Sequence, residues 1–384
     1  MILVLFDVKV APKITCFSAG DDVQVEEELY SKIYDVLDDI DSSELDVFLE
    51  NNFNLNFFDK STFKELVVQV LNGTYFEEYD SLLGGVVSLA KENLHIVFAF
   101  VFNIFAIVFL NEIFKTFCSE KYSDFKKVVN VIFSIILVLI VAWVMKDLAE
   151  SVLSVCKKIF NFSTLLFPIL LNLVLLSGAS GTFSVYSGLS AFLLNTGANV
   201  FLFVLMPSAV SILILSLIGS IFSSKRFDKT IGIFKTIFKY VIGIMFGVFG
   251  LFSAVNLVSS GIKDGVGVKL TKYAIKNYVP VLGGYISEGF NFVQACSVLV
   301  KNAFGVCAIL ILFFIVLKPL VMYFVYHLTF KFLSLAVSYF GADMQSDLFE
   351  NVSKCIGYFI AVLLGLFLIM FVFVYLIIIS VAVV

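Results

Sequence analysis

The sequence predicts an all-α fold, a polytopic membrane helix bundle of about seven to nine spans preceded by a small acidic helical region. Of the 384 residues, 60% are hydrophobic, whereas soluble domains contain roughly 45–50%. The mean hydropathy is +1.02. Apolar runs of the ~20 residues that a membrane helix needs recur along the chain, and residues 356–384 contain no charged side chain.

Charge divides the chain into two parts. Residues 1–93 hold 19 acidic and 6 basic side chains, and residues 94–384 hold 11 acidic and 20 basic ones. This split indicates an acidic head, residues 21–93, in front of a membrane domain that begins at residue 94. Residues 1–20 are expected to be a degenerate signal-like segment. Asp7 interrupts their apolar run after five residues, whereas a normal run has ~7–15.

The acidic head has helical periodicity. Apolar residues recur at helical spacing from Leu29 to Ile40. The sequence from Asp41 to Glu44 fits a capping box, in which two side chains satisfy free backbone N–H groups, and it predicts the start of a second helix. A third helix is predicted from Ser61 to just before Gly73. A solvated acidic linker is the alternative, which the apolar stripes disfavour.

The membrane domain contains runs that predict individual spans. Residues 146–158 include three lysines and are expected to form a loop. Residues 183–222 are long enough for two short spans, separated near Asn195–Asn199 and Pro207. The predicted spans are 94–114, 128–146, 162–178, two within 183–222, 238–258, 302–338 and 356–383.

Basic loops predict the orientation. Lysines are dense between Lys115 and Lys127 and again at 223–239, and loops of this kind remain cytoplasmic. Both loops lie on one side only if an even number of spans separates them, so we divide 183–222 into two. The acidic head then lies outside the cytoplasm. This orientation places the loop 146–158 outside the cytoplasm, where its three lysines are not expected.

The segment 261–305 is the main functional candidate, because it is Gly-rich and half polar between apolar runs. Irregular charged backbone beside a bilayer is costly unless protein buries it or it lines a wet cavity. The pattern favours two amphipathic helices joined by a turn. They form either a re-entrant hairpin, which lines a pore or docks a partner, or a pair lying on the membrane surface. The candidate gate or packing residues are Gly261, Asp264, Gly265, Lys272, Pro280, Gly283, Gly284, Glu288, Lys301 and Asn302.

Isolated polar residues within apolar runs form a second set of candidates. Lys318, directly before Pro319, is the most interior charge. It either faces protein or water, or marks a break between two short helices and snorkels to the surface. Four asparagines are expected to bond between helices, with a polar transport path as the alternative. They are Asn103, Asn172, Asn195 and Asn199.

Glycines recur at helical spacing in the run 238–258. Gly243 and Gly247 form a GxxxG pair, and Gly250 follows one turn later. Small residues at this spacing let two helices approach closely. We expect packing within the chain rather than a dimer seam.

The residues of catalytic and metal sites are scarce. The chain has only two histidines, and its six cysteines form no CxxC pair. We find neither a phosphate-binding loop nor a nucleophile–base pair. We therefore expect no enzyme, no cofactor, no metal site and no nucleic-acid partner, and active transport would need a separate ATPase.

Over residues 30–384 the chain resembles the stage III sporulation protein AE family. The resemblance is strongest within 261–305 and weaker at Leu37–Asp46 and Ser177–Gly181. The residues that carry it are Asp264-Gly265, Lys272, Asn277, Val279-Pro280, Gly283-Gly284, Lys301-Asn302 and Gly305.

This resemblance implies a role in endospore formation. Proteins of the family lie in the mother-cell membrane that surrounds the forespore and belong to a secretion-like complex. The implied partners are other stage III sporulation A-operon membrane and ring proteins, including a cytoplasmic ATPase, together with membrane lipid. The complex supports forespore integrity and late forespore gene expression, and its polytopic member is the candidate permease. The family normally begins with a cleavable signal peptide, a segment that is weak here.

Three functions remain open at this point. The first hypothesis is a channel or export-gate subunit of the transenvelope complex, acting through 261–305. The second is a structural scaffold that recruits ring partners through residues 21–93. The third is a secondary transporter, which would need inverted repeats, and we find no convincing internal symmetry.

Replacing Gly283 and Gly284 with leucine tests the gate hypothesis. Two bulky side chains at the turn would prevent close approach of the limbs that the glycines permit. We expect the variant to insert normally while spore formation is lost, as measured by counting heat-resistant spores of the host. Normal sporulation would contradict a gate at this segment.

Overall fold

The structure is a computed structural model that describes the backbone of residues 33–53, 62–72, 79–117, 123–222, 226–278 and 283–380. For residues 79–96, 98, 123–124, 222, 226, 255–278 and 283–293 it describes the backbone alone. The described residues are almost wholly helical and contain no strand, which confirms the predicted all-α class.

Short helices precede long ones along the chain. After a helical stretch at 33–38 come α1 (Ser43–Asn52), α2 (Phe63–Asn72), α3 (Tyr79–Phe117), α4 (Ser123–Leu176) and α5 (Ser180–Phe192). Two π-helical turns, Leu193–Gly197 and Phe201–Leu205, connect α5 to α6 (Met206–Phe222) through a single α-helical turn, Ala198–Val200. The remaining helices are α7 (Arg226–Tyr278), α8 (Gly283–Tyr339) and α9 (Asp343–Ile379).

Six helices of the described part are long and apolar enough to cross a membrane. Together with the composition, they indicate a membrane protein. Their candidate spans are Ala99–Phe117, Phe125–Leu176, Ser180–Ile221, Phe227–Ala254, Gln294–Tyr339 and Asp343–Ile379. The number is lower than predicted because two expected interruptions are helical.

The predicted loop at 146–158 is wrong. α4 continues through it as one helix of 54 residues, about 81 Å long at 1.5 Å per residue. These residues contain neither Gly nor Pro, so nothing in the backbone stops the helix. Lys146 lies 3.5 Å from Glu150, an i,i+4 pair on one face of the helix. The charged residues of 146–158 therefore mark a polar face of α4 and not a loop.

The predicted break within 183–222 is a pair of π-helical turns instead. They occupy Leu193–Gly197 and Phe201–Leu205, close to the expected positions. A π turn inserts one extra residue into the helix without ending it. The second turn directly precedes Pro207, whose missing N–H already interrupts the regular bonding. α5, the π turns and α6 therefore form one continuous helical run rather than two separated helices.

α9 is the centre of the bundle, and its contacts give the direction of its neighbours. α8 is antiparallel to it, because His327 bonds Ser353 near one end and Lys301 bonds Ile377 at the other. α4 runs parallel to α9. Asn130 accepts a hydrogen bond from Gln345 of α9 at 2.9 Å. At the opposite end, the rings of Phe167 in α4 and Phe373 in α9 lie 4.4 Å apart.

The helices between the two basic loops return to the end where they start. α5–α6 runs against α9, since Tyr186 contacts Phe373 and Gly219 lies beside Phe227 at the start of α7. α7 runs parallel to α9, because Phe238 contacts Tyr358 and, further along both helices, Ile242 and Phe246 lie beside Gly365. Two helical segments, still an even number, therefore separate the basic loops, which lie at one end of the bundle. We call this the basic end.

The acidic helices pack on the opposite end, which we call the head end. Phe48 of α1 contacts Phe162 of α4, with ring centroids 5.4 Å apart. Phe63 of α2 contacts Phe304 of α8 at 5.1 Å. The buried apolar residues of α1 and α2 belong to the same continuous core as those of the long helices. Burial against the bundle therefore holds these short helices in place.

The capping box lies at α2 rather than at α1. The N-cap of α1 is Ser42, not Asp41, and its side chain makes no capping bond. Asp41 instead accepts hydrogen bonds from the hydroxyl and the backbone N–H of Ser43, and these hold the pKa of its carboxyl below the ordinary value. At α2, Thr62 Oγ1 accepts from the N–H of Glu65, and a Glu65 carboxylate oxygen accepts from the N–H of Thr62 at 2.9 Å. This is the reciprocal pattern.

Changing Thr62 to Ala tests this cap. The substitution removes the acceptor for the Glu65 N–H, and such losses cost about 1 kcal/mol. We expect faster amide hydrogen exchange across the first turn of α2 in the full-length protein. Lys64→Ala is the control, because its 4.0 Å contact with Asp38 is exposed and contributes little. Equal exchange in both variants would show that the cap does not stabilise α2.

Candidate functional site

The backbone of the segment 261–305 is helical on both sides of residues 279–282. Gly261, Asp264, Gly265 and Lys272 lie in α7, and Gly283, Gly284 and Glu288 lie at the start of α8. For these seven residues only the backbone is described, and Pro280 lies outside the described residues. The described limbs are therefore regular helices rather than irregular chain.

Both limbs continue from membrane spans without a helix break. The candidate span of α7 ends at Ala254, and α7 continues for 24 more residues, about 36 Å. α8 begins at Gly283, and its candidate span begins at Gln294. The choice between a re-entrant hairpin and a surface pair stays a prediction, as do the roles of the residues in these limbs.

Lys301 is the best defined of the predicted residues. Its side chain is 0% exposed, and Nζ donates hydrogen bonds to the carbonyl oxygens of Ile377 at 2.9 Å and Ile378 at 3.0 Å. These carbonyls belong to the last turn of α9, where helix geometry provides no N–H partner. A cation also offsets the partial negative charge at a helix C-terminus. Lys301 thus caps α9 from the side.

One turn along α8, Gly305 lets the end of α9 approach. A Cβ added to Gly305 would lie 2.7 Å from Cδ1 of Ile378, well inside van der Waals contact. Lys301 and Gly305 therefore hold the same turn of α9, the first by hydrogen bonds and the second by its small size. Asn302 follows Lys301, and its Oδ1 is buried without a hydrogen-bond partner among the described residues. We call Lys301 and Gly305 the α9 lock.

Lys318 is exposed, and α8 continues through Pro319. The alternative of a break between two short helices is therefore wrong. The depth of Lys318 follows from its neighbours, since Phe313 of α8 contacts Phe367 of α9. This places Lys318 beside the charge-free part of α9, and its exposed side chain faces the surroundings of the chain rather than the core.

A polar stripe runs along the exposed face of α4. The exposed positions from Glu150 to Asn172 are spaced by three or four residues, so they lie on one side of the helix. None of them is a large apolar residue. They are Glu150, Ser154, Lys157, Asn161, Thr164, Pro168 and Asn172.

A second polar stripe continues on α5 and the first π turn. The exposed positions are again spaced by three or four residues, except for the neighbours Asn195 and Thr196, and again include no large apolar side chain. Asn195 Nδ2 donates to the carbonyl of Ala191, in its own helix, at 2.9 Å, so the expected interhelical bond is wrong there. The exposed residues are Ser180, Ser184, Gly188, Ala191, Asn195, Thr196 and Asn199. Together the two stripes form the α4–α5 polar face.

The polar face lies at the depth of the apolar part of α9. Thr164 and Asn172 flank Phe167, which contacts Phe373 of α9. A Cβ on Gly197, between Asn195 and Asn199, would lie 3.8 Å from Met245 of α7. Met245 is flanked by Ile242 and Phe246, which pack against Gly365 of α9. Gly365 and Phe373 belong to the run after Cys355 that has no charge.

At the same depth, the exposed face of α7 is apolar rather than polar. From Ile244 to Phe252 its exposed large side chains are apolar, as expected beside lipid, whereas Lys239 and Tyr240 are exposed just before this stretch. On the α4–α5 polar face, Thr164 and Asn195 each donate one hydrogen bond within their own helix, to Phe160 and Ala191. The other polar atoms of this row of amides and hydroxyls have no partner in hydrocarbon, which favours water or protein against them. The exposed apolar residues of α7 are Ile233, Ile237, Tyr240, Ile244, Phe246, Val248, Leu251 and Phe252.

Sequence reasoning found three members of the polar face, Asn172, Asn195 and Asn199, but missed the rest of the stripe on α4. The signal was available in the spacing of Ser154, Lys157, Asn161 and Thr164. The expected loop at 146–158 concealed it, because a periodicity is counted only within one helix. Among the described residues, no group of three His, Cys, Asp or Glu side chains is placed to hold a metal ion.

Comparison with known proteins gives one consistent result. The family model for Stage III sporulation protein AE matches residues 61–382. Stage III sporulation protein AE of Bacillus subtilis (strain 168) is 23% identical over 203 residues, which are 53% of this chain and 51% of that protein. The match thus spans about half the length of this curated relative. No solved structure matches the chain.

The substitution Gly305→Ala tests the α9 lock. The added methyl group meets Ile378, and overpacking of this kind costs about 1–3 kcal/mol. We expect a lower unfolding midpoint in denaturant for the purified protein. Gly357→Ala is the control, because no described atom lies within 4 Å of its added Cβ. A helix gains up to about 1 kcal/mol from such a change, so equal midpoints for the two variants would contradict the lock.

Proposed function

This chain belongs to the stage III sporulation protein AE family, and from that premise we propose that it is a channel or export-gate-like subunit of the complex between mother cell and forespore. Membership confirms the resemblance found in the sequence and makes the chain a sporulation protein with membrane helices. The family is not one of known enzymes. The channel role goes beyond what membership of the family shows.

The α4–α5 polar face is the observation that carries this proposal. It crosses the depth at which α7 presents apolar side chains to lipid. Polar groups within a membrane usually face protein or a water-filled cavity and mark pathways. Hydroxyls and neutral amides exchange hydrogen bonds with a passing solute without holding it tightly, which conduction requires. The face therefore lines the path.

The path lies beside the chain rather than through its centre. α9 fills the middle of the bundle with aromatic side chains, among them Phe359 and Phe373, which are both 0% exposed. The polar face is on the outer surface of α4 and α5. A closed conduit therefore needs further subunits around this surface, in keeping with a protein that acts within an assembly.

The π-helical turns support a moving part at this place. They lie at Leu193–Gly197 and Phe201–Leu205, within and directly beyond the α5 stripe. Such turns are rare and concentrate at functional sites, because they shift the register of a helix at small cost. A change in their number would rotate Asn195 and Asn199 relative to α4. We assign gating to this movement, in addition to the segment 261–305.

The orientation follows from the two ends of the bundle. The basic end contains Lys115, Lys127 and Lys229 and lies in the mother-cell cytoplasm, where a partner ATPase would act. The head end with α1 and α2 faces the space between the two membranes, within reach of ring-forming partners. The chain is then a multi-pass protein of the mother-cell membrane around the forespore.

One observation favours a scaffold as the second candidate. The outward side of the head combines exposed acidic residues with exposed apolar ones, Tyr34 at 48% and Val47 at 55%. Exposed apolar side chains within a charged surface are typical of protein contacts. A scaffold would use this surface alone. The exposed acidic residues are Asp35, Asp38, Asp39, Asp41, Glu44, Glu50 and Glu65.

Substituting leucine for Asn195, alone and together with Asn199→Leu, tests the channel. Leucine removes the amides from the path but leaves an apolar, helix-compatible surface. We expect normal accumulation in the membrane, but forespores that engulf and then stall before late transcription. Thr236→Leu is the matched control, because Thr236 is also exposed and also bonds a carbonyl of its own helix, at 2.8 Å.

The outcomes separate the two candidates. Sporulation that survives both asparagine substitutions contradicts a path along the polar face. If sporulation survives these substitutions but is lost when residues 33–72 are removed, the scaffold is supported instead. Loss of sporulation in Thr236→Leu as well would mean that any leucine on the surface is harmful, and the polar face would lose its special role.

A further inference from the structure

Three glycines in the span of α7 do not pack against the described part of the chain. Gly243, Gly247 and Gly250 are exposed, and no described atom lies within 4 Å of a Cβ built on any of them. The expected intramolecular packing at these positions is therefore wrong. Gly365 is different, because a Cβ there would lie 3.2 Å from Ile242. Glycine weakens a helix unless something requires its small size, so this open row needs another explanation.

A cavity of about 370 Å³ adjoins the glycine row, between α7 and α9. Gly250 belongs to both the row and the cavity wall. Ser253 also lines the cavity, is only 8% exposed, and its hydroxyl has no hydrogen-bond partner in the described part of the chain. A buried hydroxyl normally has a partner. The cavity is otherwise apolar, lined by Phe246, Phe249, Leu368 and Val372 among others.

A ridge of aliphatic side chains runs along the other side of the glycine row. Each glycine is followed directly by an exposed branched residue, Ile244 at 61%, Val248 at 41% and Leu251 at 71%. Successive residues of a helix lie about 100° apart, so the ridge is adjacent to the row. One helix thus presents a groove and a ridge of matching length at the same depth.

We propose that α7 of a second copy of this chain packs on the glycine row. Two copies inserted in one membrane have the same orientation, so their α7 helices are parallel and present groove and ridge at equal depth. A two-fold axis along the membrane normal then places the ridge of each copy in the groove of the other. Close crossing through GxxxG is a known mode of helix association in membranes.

The cavity and Ser253 favour a protein occupant at this face. A second helix supplies apolar side chains for the cavity, and its backbone carbonyls offer acceptors to the Ser253 hydroxyl once that side chain turns into the cavity. The hydrocarbon of an acyl chain fills apolar space but brings no acceptor. The proposal is independent of conduction, because it concerns α7 and not the α4–α5 polar face.

Disulfide trapping in host membranes tests the contact. A single cysteine in place of Gly247 occupies open space, so the fold tolerates it. With a membrane-permeable oxidant we expect Gly247→Cys to give a covalent pair of twice the chain mass. Gly357→Cys, at an equally open glycine of α9, should give no more than the wild-type chain, whose six native cysteines set the background.

Substitution by leucine tests the same contact without new chemistry. The wild-type chain, fused to a fluorescent protein and diluted into phospholipid vesicles, should bleach in two steps. Gly247→Leu should bleach in one step, and Gly357→Leu should keep two. Single-step bleaching of the wild type, or no covalent pair from Gly247→Cys, overturns the proposal and leaves lipid or a different protein against the row. Two steps in Gly247→Leu overturn it equally.

Discussion

The carbonyl groups in the last turn of α9 are buried away from water and need partners within the protein, and the structure depends on how α9 meets this constraint. Its last turn receives the ammonium group of Lys301, at 2.9 and 3.0 Å, in a site closed to solvent. Gly305 permits the approach that these distances require. Because α9 contacts α4, α5, α7 and α8, the position of its end decides how the whole bundle closes.

The surface of the bundle divides into regions of different character around this centre. α7 presents apolar side chains and a glycine row, the arrangement expected where lipid or another helix lies against it. α4 and α5 present hydroxyls and amides at the same depth, where hydrocarbon leaves part of their hydrogen-bonding capacity unused. The head closes one end, with Phe63 packed on Phe304 one turn from Lys301. Our proposals assign each surface a different neighbour: a second copy for α7, a wet path for α4 and α5, and soluble partners for the head.

Hydropathy and charge predict much of this arrangement, because they report properties that are local in sequence. The membrane class, the helical head and the run after Cys355 follow from composition and periodicity alone. The loop at 146–158 was wrong because hydropathy counts charges, whereas a helix stops at Gly or Pro. The capping box was placed at Asp41 rather than Thr62 because both sequences fit the motif, and tertiary contacts decide between them.

The α9 lock lies beyond sequence reasoning for a different reason. Lys301 was a candidate because it lies in the half-polar segment 261–305, but its partners lie 76 and 77 residues away. They are backbone atoms, which leave no mark on residue identity. The open face of Gly243, Gly247 and Gly250 was equally hidden, because GxxxG specifies close approach without saying whether the partner belongs to the same chain.

The α9 lock also has a consequence for biosynthesis. The ribosome makes α8 before α9, so Lys301 enters the membrane when the carbonyls that receive it do not yet exist. The candidate span of α8 begins at Gln294, so Lys301 lies near its end, where a long side chain reaches the membrane surface. Until α9 emerges the ammonium group bonds water, and it exchanges that water for the carbonyls of Ile377 and Ile378 when α9 packs against α8. In this chain the packing of α9, and not the insertion of α8, is the step that buries Lys301.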